Sequence, residues 1–249
     1  MKKKTWCLAI LALLVAATAP AGEQTVSFKS GDELASGLLV SPDGRGPFPA
    51  AIVVQEWWGL NDWVKEQARA LAKEGYVALA VDLYRGKVAT KQEDAHQLMM
   101  GTPPDRALRD LQGAVAWLRL QASVRKDRIG VIGWCMGGGY TLRLATVEPG
   151  LAAAVAYYGT PPTDAAAIAA IRAPVMGNFG AEDKGPTPEQ AKAFEDALKK
   201  AGKSVDVKIY PGAGHAFANV NNPWGGYRKD AAEDAWARTT AFLARYLKG

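Results

Sequence analysis

The sequence predicts an α/β fold with a mostly parallel, twisted sheet and helices packed on both of its faces. Strand-like apolar runs alternate with amphipathic helical segments from residue 50 to the C-terminus, as in successive βαβ units. Several runs are almost continuously apolar, which suits strands buried on both faces of a parallel sheet. The 249 residues fit one such domain, and no repeat or low-complexity linker divides the chain.

The first 21 residues are typical of a secretory signal peptide. Three lysines at 2–4 precede an apolar run over 6–17, and small residues follow at 19–21. We expect cleavage after Ala21, which leaves a domain of residues 22–249 in the periplasm or outside the cell. The alternatives are a membrane anchor or a core helix, but the apolar run is shorter than the roughly 20 residues that a spanning helix needs. No membrane association is expected after cleavage.

Charge and cysteine content narrow the function classes. Removal of the leader takes away three lysines and no acids, so the formal charge falls from +5 to +2. The mature chain has no cluster of lysines and arginines that would suggest a nucleic-acid partner. Cys7 leaves with the leader, and Cys135 is then the single thiol, so no intramolecular disulfide can form. A single free thiol in an exported protein is expected to be either buried or part of a functional site.

The first half of the chain predicts, in order, a hairpin around residues 31–32, strands at 50–55 and 77–81, and helices at 62–74, 87–101 and 103–122. The hairpin forms an antiparallel edge of the sheet. Asn61 or Asp62 caps the first helix, and Gly75 ends it.

The second half predicts, in order, a strand at 129–132 with a helix after it, strands at 152–157, 173–179 and 205–210, and helices at 163–171, 187–202 and 230–247. Thr187 and Pro188 form a helix start. Active loops in such sheets lie beyond the carboxyl ends of the strands. The polar residues that follow strands there are Glu56, Cys135, Asp183 and His215.

Residues 128–142, RIGVIGWCMGGGYTL, combine a strand, a sharp turn and a helix. Their centre is the G-x-S-x-G nucleophile elbow with Cys135 in place of serine. The turn strains its central residue and brings strand and helix together, which requires glycine nearby. The helix dipole favours a thiolate at Cys135, and the amide of Met136 can face an oxyanion. The alternative is a cysteine that is simply buried.

A base and an acid follow the elbow in the chain. His215 lies in a glycine-rich loop after the last strand, whereas His96, in a polar helix, is expected to be an exposed surface residue. Asp183 is favoured over Glu182 as the orienting acid because it lies one residue deeper in its loop. The order Cys135, Asp183, His215 is the nucleophile, acid, base order of α/β-hydrolases.

The motifs Q-E-W-W-G, D-L-Y, G-W-C-M-G-G, Y-Y-G, G-x-x-D and G-A-G-H-A-F together resemble the dienelactone hydrolase family of α/β-hydrolases. The resemblance covers residues 50–217 by motif and implies the α/β-hydrolase fold. It implies that Cys135 is the nucleophile, Asp183 the acid and His215 the base. It also implies that the carboxylate of Glu56 contacts the thiol, and that the amides of Met136 and Trp57 form the oxyanion hole.

Glu56 also has a chemical rationale of its own. It ends a hydrophobic strand, so its carboxylate is desolvated and tends to hold a proton. Near Cys135 it can keep the thiol protonated until substrate arrives, which limits oxidation. The alternative role is a cap for the helix that starts at Asp62.

The substrate side departs from the family pattern. Family members grip a substrate carboxylate with two arginines, but Arg85 is shifted from the first position and Asn219 occupies the second. Aromatic residues suggest a pocket wall instead. The substrate-binding candidates are Arg85, Trp58, Tyr84, Trp134 and Phe217, with Trp57 and Trp224 as further wall residues.

The sequence therefore predicts a monomeric hydrolase that cleaves a small ester or lactone through a thioester intermediate. The missing second arginine favours a non-acidic ester over dienelactone. No cofactor is expected, and no metal, because two histidines at unrelated positions do not form a zinc site. The alternative is a non-catalytic ligand-binding protein or a thiol redox sensor, although the chain lacks a resolving cysteine.

Overall fold

The computed structural model describes residues 22–223 and 225–249, so the predicted signal peptide and Trp224 lie outside the described residues. The strands are β1 (Gly22–Ser30), β2 (Glu33–Ser41), β3 (Phe48–Val54), β4 (Val77–Asp82), β5 (Val124–Trp134), β6 (Ala153–Tyr157), β7 (Val175–Gly180) and β8 (Val205–Tyr210). The helices are α1 (Asp62–Lys73), α2 (Gln92–Met100), α3 (Pro104–Arg119), α4 (Met136–Val147), α5 (Ala165–Ala170), α6 (Pro188–Lys200) and α7 (Lys229–Leu243), which a π-helical turn at Ala244–Lys248 follows.

The strands form one eight-stranded sheet in the order β1-β2-β4-β3-β5-β6-β7-β8. The β1–β2 hairpin is antiparallel, and β2 also pairs antiparallel with β4. From β4 to β8 every neighbouring pair is parallel. The predicted edge hairpin and the mostly parallel sheet are therefore confirmed, and the carboxyl ends of β3 to β8 meet at one edge.

A separate hydrophobic core fills the space on each side of the sheet. Successive residues of β3 alternate between them, with Ile52 in one core and Val53 in the other. Apolar residues of α3, α4, α5 and α6 complete the first core, and those of α1 and α7 complete the second. The near-continuous apolar runs of the sequence follow from this burial on both faces.

Most predicted element boundaries lie within a few residues of the structure. Asn61, not Asp62, caps α1, because its Oδ1 accepts a hydrogen bond from the amide of Val64 at 3.1 Å. Thr187 forms a reciprocal capping box with Gln190. The elbow strand is longer than predicted, because a polar stretch hides its pairing near Val124. Among the described residues, no helix is long and apolar enough to span a membrane.

Candidate active site

Cys135 occupies the tight turn between β5 and α4. Its backbone has a φ of 54°, a region that non-glycine residues adopt only under strain, and it forms the N-cap of α4. A side chain at Gly133 would clash with the carbonyl of Gly137, and one at Gly137 would clash with the carbonyl of Val54. The predicted strand-turn-helix is therefore present, and its glycines are required by close backbone packing.

His215 and Asp183 reach the thiol from two neighbouring loops. The Nδ1 of His215 lies 2.8 Å from the Oδ2 of Asp183, whose side chain is 1% exposed. Burial alone would lower the pKa of His215, but hydrogen bonds and charge from Asp183 and Cys135 outweigh it and raise this pKa to about 10. The structure thus joins the imidazole and the carboxylate by a hydrogen bond, and the thiol lines the same two cavities as the imidazole. The competing residues Glu182 and His96 are exposed.

Glu56 is fully buried beside this group. Its Oε2 accepts a hydrogen bond of 2.6 Å from Nδ2 of Asn219, and its Oε1 accepts one of 3.4 Å from the hydroxyl of Tyr158. Burial raises the pKa of Glu56 to about 7, although the Asn219 hydrogen bond, the charge of His215 and the Tyr158 hydrogen bond oppose the rise. A capping role for Glu56 is excluded because Asn61 caps α1.

The contact between Glu56 and the thiol that the family resemblance implies takes an indirect form. Glu56 and Cys135 line the same small cavity, but the hydrogen bonds to the carboxylate come from Asn219 and Tyr158. The positive charge of His215 lowers the pKa of the same carboxylate. Glu56 therefore lines the same cavity as Cys135 and His215, and its two hydrogen-bond donors are neutral.

Tyr158 was not predicted as a site residue. It follows β6 with a φ of 37°, and its ring packs edge-on against the imidazole of His215 at a centroid distance of 5.2 Å. Its hydroxyl reaches Glu56, so Tyr158 contacts both His215 and Glu56. The only hint in the sequence was its place in the Y-Y-G motif, where a side chain at Gly159 would clash with the backbone of Gly138.

Two cavities meet at the thiol. The larger encloses about 580 Å³ and the smaller about 240 Å³, and both are lined by Trp57, Cys135 and His215. The larger is also lined by Met99, Met136, Gly139, Tyr140, Arg143 and Tyr158. The smaller is also lined by Glu56, Trp58, Ala216 and Asn222. Cys135, the candidate nucleophile, thus borders two cavities, and these could hold the acyl part and the alcohol part of an ester.

Arg85, a predicted substrate-binding residue, lines neither of the two cavities at the thiol. Its guanidinium forms a two-pronged ion pair with Asp110 of α3, at 2.7 and 2.8 Å, and the side chain of Asp110 is completely buried. The backbone of Arg85 has a φ of 55°, which turns the chain towards α3. A buried carboxylate needs a cation, so this arginine is committed to the fold.

Three further predicted substrate-binding residues are buried and line neither cavity. Trp134 is 1% exposed and packs against Trp63 and Tyr157, and Phe217 is buried among aromatic rings. Tyr84 is also buried, with its hydroxyl 3.3 Å from the sulfur of Met136. These rings support the site from behind and do not line either cavity, whereas Trp58 does line the smaller one.

Comparison with known proteins connects this geometry to a family. Residues 35–247 match the model of the dienelactone hydrolase family. The chain belongs to the dienelactone hydrolase family. A protein of Methylorubrum extorquens named "Putative carboxymethylenebutenolidase" is 33% identical over 91% of this chain and 81% of its own length. One of the same name from Saccharolobus solfataricus is 34% identical over 91% of this chain and all of its own.

Solved dienelactone hydrolase structures share the fold. A dienelactone hydrolase-like promiscuous phosphotriesterase from metagenomic libraries superposes with a TM-score of 0.82 at 27% identity, over 90% of this chain and 98% of its own. The resemblance inferred from the motifs and the predicted α/β-hydrolase fold are thereby confirmed. Among the residues of the present chain that the structure describes, no cluster of His, Cys, Asp and Glu side chains is arranged to hold a metal ion.

Proposed function

We propose that the protein hydrolyses a small carboxylic ester or lactone, with Cys135 as nucleophile, His215 as general base and acid, and Asp183 as the group that orients His215. One observation carries the proposal: His215, which is hydrogen-bonded to Asp183 at 2.8 Å, lines both cavities together with Cys135. Family membership and the names of the relatives support ester or lactone chemistry.

The reaction follows from the positions of these groups. The sulfur of Cys135 attacks the acyl carbon while His215 holds the thiol proton, and the carbonyl oxygen becomes an oxyanion. The amides of Met136, at the N-terminus of α4, and of Trp57 stabilise that oxyanion. His215 then gives its proton to the leaving alcohol, and a thioester forms. His215 next takes a proton from water, the hydroxide attacks the thioester, and the acid leaves with the thiol restored.

Glu56 adjusts the charge of the smaller cavity in this scheme. With a pKa of about 7 it is partly protonated near neutral pH. A protonated Glu56 adds no negative charge beside Cys135 and can return a proton to the resting thiol. That role protects the single thiol of an exported protein from oxidation.

The proposal is tested with purified residues 22–249 on p-nitrophenyl acetate and on a dienelactone, beside Cys135→Ala. Wild type is expected to turn over at least one ester, and the variant to lose about 1,000-fold or more in kcat/KM because no nucleophile remains. Mass spectrometry of quenched wild type is expected to show the acetyl group on Cys135. Full activity of Cys135→Ala would refute the mechanism.

The second candidate is the ligand-binding or thiol-sensing role. It would move ahead if neither ester is cleaved while iodoacetamide rapidly modifies Cys135.

We also propose that residues 1–21 direct export and are removed, and that the protein acts as a monomer. Expression of the full chain in a Gram-negative host should then yield periplasmic protein that begins at Gly22 and elutes at the size of one chain.

A further inference from the structure

One face of α4 forms a continuous wall of the larger cavity. Met136, Gly139, Tyr140 and Arg143 all line it, and their spacing of i, i+3, i+4 and i+7 places them on one stripe of the helix. Cys135 lies at the N-terminal end of this stripe. A substrate arm that leaves the thiol along α4 therefore passes a methionine, a glycine and a tyrosine ring before it meets a positive charge.

Arg143 is placed to meet a ligand and not a protein carboxylate. Its side chain is exposed, and its guanidinium carbon lies 5.7 Å from the centre of the Tyr140 ring. Among the described residues no carboxylate forms an ion pair with it, whereas Arg69, Arg85 and Arg238 each have one. Side chains on a helix lean towards its N-terminus, which agrees with the position of this guanidinium over Tyr140, about one turn before Arg143.

The charges around Tyr140 show that this end of the cavity is positive. Burial raises the pKa of Tyr140, and the charges of Arg143 and Arg106 oppose that rise. Asp105 acts in the other direction, but its carboxylate is paired with Arg109 at 3.4 Å. Within the described part of the chain, the smaller cavity has no arginine or lysine in its lining, which includes the carboxyl of Glu56. The part of a substrate in the larger cavity is therefore close to an arginine, and the part in the smaller cavity is not.

We propose that Arg143 is a specificity-determining residue that binds a carboxylate carried on the substrate arm in the larger cavity. The preferred substrates are then esters whose negative charge lies away from the scissile bond, beyond an apolar spacer that packs on Met136, Gly139 and Tyr140. Arg143 follows Cys135 by about two helical turns, or ~12 Å along the axis, which a spacer of several methylene groups spans. The assignment builds on the proposed hydrolase function and names its substrate class.

The test compares matched charged and neutral esters in two pairs, since either arm of an ester can occupy the larger cavity. The acyl-side pair is mono-p-nitrophenyl suberate and its methyl ester. The alcohol-side pair is 6-acetoxyhexanoate and its methyl ester. For each pair the ratio of kcat/KM, charged over neutral, is measured for wild type, Arg143→Gln and Arg143→Lys. Arg172→Gln is the control, because it removes the same charge from an exposed position before β7, at the opposite edge of the sheet.

Wild type is expected to favour the charged ester in one pair, and Arg143→Gln to lower that ratio about tenfold, mainly through KM. Arg143→Lys should retain most of the ratio, added salt should reduce it, and Arg172→Gln should leave it unchanged. A ratio that Arg143→Gln does not alter in either pair overturns the assignment, while turnover of the neutral esters preserves the hydrolase function. Absence of turnover with all four esters overturns the assignment of Arg143 if p-nitrophenyl acetate or the dienelactone is still cleaved, and overturns the hydrolase function itself if neither is cleaved.

Discussion

At the scale of single residues, the site depends on how Glu56 is held. Asn219 is 163 positions away in the chain and donates a 2.6 Å hydrogen bond to a carboxylate that is 1% exposed. An amide satisfies the oxygen without supplying a positive charge, so burial prevails and the pKa of Glu56 rises to about 7. A neutral partner for Glu56 thus keeps the pKa of this carboxyl near 7, beside the proposed nucleophile Cys135.

Replacement of Asn219 by alanine is expected to move that titration upward. The hydrogen bond from Asn219 lowers the pKa of Glu56, so its loss leaves burial less opposed and raises this pKa above 7. In a profile of log kcat/KM against pH, the inflection near 7 should shift to higher pH. Asn61→Ala is the control, since it removes the cap of α1, at a cost of about 1 kcal/mol, and should leave the inflection in place. An unmoved inflection in Asn219→Ala would show that another group titrates there.

At the scale of elements, α4 performs three tasks at once. Its N-terminus carries Cys135, its exposed stripe walls the larger cavity, and Leu142 and Leu144 bury its other side in the core. These tasks require the helix to start close to the ends of β3 and β5, and glycine allows that approach. The glycines of α4 therefore differ in what they contribute.

A pair of substitutions in α4 separates those contributions. A side chain at Gly137 would clash with carbonyl oxygens of β3, while one at Gly139 would find its nearest neighbour, the oxygen of Thr160, at 3.4 Å. Gly137→Ala is expected to cost about 3 kcal/mol of unfolding free energy because the backbone must shift. That cost would lower the melting temperature by about 10 °C.

Gly139→Ala is the matched control on the same helix. It should leave the unfolding free energy unchanged or raise it by about 0.5 to 1 kcal/mol, because alanine is the better helix former. Thermal unfolding followed by circular dichroism measures both variants. Equal melting temperatures would contradict the view that the contact between α4 and β3 fixes the elbow.

At the scale of the whole molecule, local patterns predicted the fold, while long-range contacts decided which residues form the site. Apolar runs, caps and the glycine-rich elbow depend on neighbours in sequence, so the sheet and the placing of Cys135, Asp183 and His215 after strands were predictable. The pairing of Arg85 with Asp110 was not, because a buried acid on a distant helix has no local signature.

The same limit explains the misplaced aromatic residues and the role of Asn219. Trp134 and Phe217 lie next to the catalytic candidates in sequence, but their side chains point into the core, and sequence proximity does not give side-chain direction. The partnership of Asn219 with Glu56 depends on two loops that meet only in the folded sheet. Residues that support a site are therefore harder to predict than residues that follow strands.

The stability of the whole molecule is expected to fall as pH rises, because native Glu56 and His215 both hold protons more tightly than the unfolded chain does. The pKa of Glu56 rises from 4.5 to about 7 and that of His215 from 6.5 to about 10. Between 4.5 and 7 the native state binds more protons at Glu56, so its contribution is complete below pH 4.5 and is lost as pH rises through 7. The contribution of His215 is complete below 6.5 and is lost through 10.

Glu56→Gln isolates the first contribution, since glutamine can still accept the Asn219 hydrogen bond but does not ionise. A pKa raised from 4.5 to about 7 corresponds to about 3 kcal/mol, so wild type should lose up to that much relative to Glu56→Gln between pH 4.5 and 8. Urea unfolding at several pH values measures the difference, with the exposed Glu182→Gln as control. A difference that stays constant with pH would mean that the pKa of Glu56 is not raised in the native state. The smaller cavity would then carry a negative charge beside Cys135 at neutral pH.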